Sequence, residues 1–65
     1  MTESDARRRY VSYLTKLLVD AGDTYDDAQQ YAGDSYDAAY DAETGFPDEP
    51  ESAAYEEFLL LCQDG

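Results

Sequence analysis

Apolar side chains recur along this chain at helical spacing in three separate stretches. Tyr10, Val11, Leu14, Leu17, Leu18 and Ala21 follow the i, i+3/i+4 pattern of a helix with one buried stripe. Thr2, Ser4 and Asp5 can cap its start, Glu3 and Asp5 suit the positive end of its dipole, and Gly22 suits the position just past its end. In the last stretch Ala54, Tyr55, Phe58, Leu61 and Cys62 form an apolar face that Leu59 and Leu60 widen. Asp48 is the expected cap of that helix, with Pro50 in the first turn and Glu51 completing a capping box. Between them Tyr25, Ala28, Ala32, Tyr36 and Ala39 share one side of a helix expected over residues 24–43. Asp23 or Thr24 can cap it, with Asp27 in capping-box position after Thr24. Thr44-Gly45-Phe46-Pro47 stops it, and Phe46 is expected to tuck into the core. Gly33-Asp34-Ser35 is its weak point, where the helix either bends or divides into two short ones. The predicted fold is all-α, a small three-helix bundle with an acidic middle helix, forming one domain over residues 1–65.

The polar side of the middle stretch is unusual. Gly22-Asp23-Thr24-Tyr25-Asp26-Asp27-Ala28 returns eleven residues later as Gly33-Asp34-Ser35-Tyr36-Asp37-Ala38-Ala39. Eleven residues are close to three helical turns, so matching side chains share a face. On a continuous helix Asp23, Asp26, Asp27, Asp34, Asp37 and Asp41 fall within an arc of about 100°. Tyr31 and Tyr40 flank that arc, and Glu43 points away from it. The column would run about 27 Å from Asp23 to Asp41 at the helical rise.

Charge sharpens this picture. The 65 residues carry a net charge of −12, and Arg7, Arg8, Arg9 and Lys16 are all the basic residues. Residues 17–65 hold no base. Such a chain repels nucleic acid and anionic membrane and favours basic partners. Three consecutive arginines on a helix fan out over about 200°, so they cannot make one basic face and are read as counter-charges within the molecule. No apolar run approaches membrane-spanning length, and no secretory leader is read at the start of the chain. The single cysteine permits no intrachain disulfide, and the expected setting is the cytoplasm.

Catalytic chemistry finds little purchase. There is no histidine, and no nucleophile stands beside a base, so the chain is read as a non-enzyme. Close carboxylates arise here from composition alone, and general acid–base work would need one of them secluded. Cys62 is expected to be a small buried hydrophobe. Asp41-Ala42-Glu43-Thr44-Gly45 superficially resembles the opening of a calcium loop, but its glycine stands at the fifth position and Ser52 at the twelfth, which excludes an EF-hand. No cofactor or metal is expected. Tyr10, Tyr25, Tyr36 and Tyr55 are placed at core-facing positions, and Tyr13, Tyr31 and Tyr40 nearer solvent.

A one-signed face is costly, because an ordinary solvated helix intersperses lysine and glutamate. A column of aspartates about one turn apart offers DNA-binding lysines and arginines a substitute for phosphates, and flanking tyrosines can stack on arginine. In length, acidity and helix-borne carboxylates the chain resembles the DNA-mimic inhibitors encoded by phages and mobile elements, which include anti-CRISPR proteins, anti-restriction proteins and inhibitors of DNA-repair enzymes. The resemblance is compositional. It implies a partner that is a basic DNA-binding protein or nucleoprotein effector complex in the host cytoplasm. Asp23, Asp26, Asp27, Asp34, Asp37, Asp41, Tyr31 and Tyr40 would be the binding residues, on a monomer or weak homodimer. Two other readings stand beside it: a small acidic helical protein of a halophile, and an antitoxin-like module that masks a basic partner.

Overall fold

The computed structural model describes residues 2–41 and 43–63. They form three helices, α1 (Glu3–Asp20), α2 (Tyr25–Ala39) and α3 (Pro50–Gln63), with no strand among the described residues. The three-helix, all-α expectation holds.

The ends of α1 follow from its sequence. The Thr2 hydroxyl accepts the Asp5 amide at 3.2 Å. At the other end Gly22 takes φ +115°, a left-handed value that only glycine adopts freely. The Gly22 amide then donates to the Val19 carbonyl and the Asp23 amide to the Leu18 carbonyl, the paired bonds of a Schellman motif. Thr24 starts α2 at once, its hydroxyl accepting the Asp27 amide. α3 begins differently from expectation. The Glu49 carbonyl takes the first helical bond, from the Ala53 amide, so Pro50 occupies the first helical position and Asp48 lies outside. Glu51 leaves its expected capping role for a two-pronged bond from Arg9, at 2.7 and 2.8 Å.

α1 is the central element. α2 and α3 each pack on it, and neither comes within 8 Å of the other between Cα atoms of the described residues. The molecule is accordingly flat, 32 × 22 × 17 Å. Ala6, Tyr10, Leu14 and Leu18 line the buried stripe of α1 at i, i+4 spacing. Ala28, Ala32 and Tyr36 meet it from α2, and Ala54 from α3. Alanine at these positions lets the flanking helices lie close to α1.

Several apolar positions fall elsewhere than their helical phase implies. Tyr25 is 61% exposed and Ala39 is exposed, because the two ends of α2 are flanked by its short connections rather than by a third helix. Tyr55 is 46% exposed, and Cys62 lies at the surface. Tyr55 borders a shallow depression beside Tyr13 of α1 rather than the core, and α2 does not reach α3 to cover either residue. Phe46 is 39% exposed and does not enter the core.

Tyr40 moves the opposite way. Its backbone is extended at φ −130°, ψ 121°, which ends α2 and brings its ring within 5.0 Å of Tyr36 and 6.1 Å of Tyr10, centroid to centroid. Tyr10 and Tyr36 meet edge to face at 5.3 Å, so three tyrosines close this end of the core. The Tyr10 hydroxyl finds Ser35 at 3.1 Å. The buried Tyr36 hydroxyl has no hydrogen-bond partner among the described residues. A buried hydroxyl without a partner carries its desolvation cost uncompensated, so Tyr36→Phe should stabilise the fold by about 1 kcal/mol. Tyr10→Phe, which strands Ser35, should not. Urea unfolding of the two variants checks this, and a Tyr36→Phe protein that unfolds earlier than the parent would contradict it.

Candidate acidic binding face

Asp26 and Asp27 lie in the first turn of α2, where the helix dipole favours negative charge. Asp34 follows two turns later on the same side, and α2 runs through Gly33 without a break. All three are exposed and form no ion pair among the described residues. The expected alignment therefore holds over the body of the helix. Its two ends do not belong to it. Asp23 is exposed but precedes the cap Thr24, outside the helix.

Asp41 also leaves the column, because α2 stops at Ala39 and not near residue 43. Ala42, inside the expected helix, lies outside the described residues. The physical reason is local competition. One Asp41 carboxylate oxygen accepts the Glu43 amide, the Thr44 amide and the Thr44 hydroxyl, each at 2.9 Å. The Thr44 hydroxyl in turn accepts the Asp41 amide at 2.8 Å. Such side-chain bonds offer the backbone an alternative to the helix, and Gly45 completes the turn at φ +82°. These bonds, the Thr44 amide first, hold the Asp41 carboxyl below its usual range.

Asp37 is in phase with the column but not free. Its carboxylate accepts both the Nε and a terminal nitrogen of Arg7, at 3.3 and 3.4 Å. The pair passes close to Gly33: a Cβ there would lie 3.2 Å from the Arg7 guanidinium, which would have to shift by a few tenths of an ångström. Arg8 pairs with Asp5 and Arg9 with Glu51, so all three arginines are internal counter-charges, as their fanned spacing implies. These pairs are exposed and contribute little individually. The Arg9 bond lowers the Glu51 pKa. That contribution is present above the ordinary carboxylate pKa and is lost only as pH falls through the lowered value.

Tyr31 and Tyr40 flank the face unequally. The Tyr31 hydroxyl donates to Glu57 at 3.0 Å, linking α2 to α3. Desolvation, then that carboxylate, pushes its pKa up to about 12. Tyr40 is half-buried in the tyrosine cluster and is not a rim residue. Neither the Tyr31–Glu57 link nor the Arg7–Asp37 pair has a signal in the sequence periodicity, because each joins residues of two different helices.

The face that results is Asp26, Asp27 and Asp34, bordered by the neutralised Asp37 and by Tyr31. Along the helix axis Asp34 stands about 10 Å beyond the adjacent Asp26 and Asp27, and Asp37 about 4–5 Å further, against about 3.4 Å per phosphate along one DNA strand. The face is an anionic surface with one shallow, open depression, lined by Tyr31, Asp34, Ser35 and Glu57 among others. Among the described residues no three His, Cys, Asp or Glu side chains gather to hold a metal. No helix of the described residues is long and apolar enough to cross a membrane.

Neighbouring unpaired carboxylates repel one another, and salt screens that repulsion. Melting temperature should therefore rise as NaCl is raised from low to physiological levels, followed by circular dichroism. A fall over that range would show that the three arginine pairs outweigh the repulsion.

No protein-family model, curated protein or solved structure matches this chain.

Proposed function

We propose that this protein is a DNA-mimicking inhibitor that occupies the basic DNA-binding surface of a host defence complex, and that it acts as an anti-CRISPR protein. One observation carries the reading: Asp26, Asp27 and Asp34 stand aligned and exposed on a continuous helix without an ion pair among the described residues, while Arg8 and Arg9 pair with Asp5 and Glu51 and Arg7 neutralises only Asp37 at the end of the column. Charge left unneutralised on one rigid face is available to a basic partner. It supplies the sequence-independent, ionic part of what a phosphate backbone offers. A helix presents it at fixed spacing, so little ordering is lost on binding.

The test is competition. An RNA-guided effector complex is mixed with its labelled target duplex and with increasing protein. Displacement of the duplex, weakening steeply as salt rises, is the expected result. A complex that holds protein and duplex together would overturn mimicry.

A further inference from the structure

A second surface lies on the side of α2 turned from Asp27 and Asp34. The outward face of α1 and the start of α2 enclose an open groove of about 770 Å³. Val11, Thr15, Val19 and Tyr25 give it an apolar lining, and Arg8 and Lys16 line it as well. The Thr15 hydroxyl is buried there without a hydrogen-bond partner. Lys16 forms no ion pair among the described residues.

α3 carries the converse shape. Tyr55, Leu59 and Cys62 recur at i, i+4 and i+7 along its solvent side, all exposed, with the Glu56 carboxylate beside them. Groove and ridge share one continuous face. Arg8, Ser12 and Lys16 also line a shallow depression with Tyr13 and Glu51, and those two line the next one with Tyr55 and Glu56.

We propose that this face pairs two copies of the chain about a two-fold axis, the α3 ridge of each seated in the α1–α2 groove of the other. Three features of the molecule select a second copy as occupant. The groove holds Lys16, which forms no ion pair among the described residues, and the ridge brings the Glu56 carboxylate to it; Arg7 and Arg8 of the lining are already paired with Asp37 and Asp5, and Asp20 lines the groove as well. The core is thin for a chain of 65 residues, a size at which association commonly supplies missing burial. Because groove and ridge lie on one side, a single contact made reciprocally closes the pair and leaves no open end. Tyr25 lies about 160–180° around α2 from Asp27 and Asp34 and about 100° from Asp26, so Asp27 and Asp34 stay outward when the copies meet. The pairing stands whether or not that face mimics DNA.

Sedimentation equilibrium over a concentration series decides it. The expected result is a monomer–dimer equilibrium that shifts toward dimer as NaCl rises, because each copy carries −12. Lys16→Glu on the groove and Leu59→Glu on the ridge should each weaken it about tenfold or more, since each sets like charges against each other or buries one. Both residues are exposed, and circular dichroism verifies that the variants fold. Adding Glu56→Lys to Lys16→Glu should restore the dimer. A monomer at every concentration and salt overturns the proposal, as does a dimer indifferent to both variants. A dimer lost in Cys62→Ser or on adding reductant overturns it too, because the link would then be a disulfide.

Discussion

Replacing Asp26, Asp27 and Asp34 together with lysine is expected to abolish competition with DNA while the helices remain. On the DNA-mimic reading each of these carboxylates meets a lysine or arginine of the target. A charge-assisted contact that is partly desolvated contributes ~1–3 kcal/mol, and one left at the rim far less. Losing three such contacts and setting like charges in their place should weaken binding at least about a thousandfold. Total charge alone could produce some of that loss. The matched control is therefore Glu43, Asp48 and Glu49 changed to lysine, an equal change of charge on exposed positions away from α2. That control should retain most of the inhibition. Lysine at Asp26 and Asp27 also opposes the helix dipole, at about 0.3–1 kcal/mol each, so the Asp→Asn triple variant is measured alongside. It removes the charge without reversing it and should also fail to compete. If both triple variants are folded and still displace DNA, the face is not the mimic. If the control loses as much as the lysine triple, net charge and not the column is responsible.

How much of this was readable beforehand divides along physical lines. α1 was legible because caps, apolar stripe and terminal glycine all agree, each satisfying backbone groups that the helix itself leaves open. The aspartate alignment was legible as far as the helix reaches, since angular phase follows from sequence position alone. The boundary at Ala39 was not. It depends on Asp41 and Thr44 outcompeting helical bonds, and on Tyr40 reaching Tyr36 and Tyr10, neither of which periodicity records. The eleven-residue repeat misled in the same way. Gly22 ends a helix at positive φ, whereas Gly33, its counterpart, sits inside one with the Arg7 guanidinium passing close by. Tyr25 and Tyr55 were misplaced because phase says which way a side chain points, not whether a neighbour stands there. With α2 and α3 apart, part of each helix has no neighbour to face. The same gap left the α1–α2 groove unread, since its residues come from two helices and include a tyrosine assigned to the core.

Leu14→Ala should unfold a large fraction of the protein near its working temperature. Leu14 is fully buried at the centre of α1, in one cluster with Ala28 and Ala32 of α2 and Ala54 of α3. Truncating a buried leucine costs about 2–5 kcal/mol, and the amount depends on how far the surroundings collapse into the space. Three of the buried residues that the flanking helices bring to this cluster are alanines, too short to fill the space, while Tyr36, Phe58 and Leu61 are the larger side chains that can relax toward it, so the middle of that range is expected. A domain of this length has roughly 3–10 kcal/mol to lose. Leu60→Ala gives the contrast, because Leu60 is 58% exposed. Its cost should stay within about 0.5 kcal/mol. Urea midpoints at low protein concentration, where pairing of copies adds nothing, measure both. Equal midpoints for the two variants would mean that α1 does not organise the core. A large gap would place the stability of the whole domain, and with it the rigidity of the aspartate face on α2, in the single stripe Ala6, Tyr10, Leu14 and Leu18.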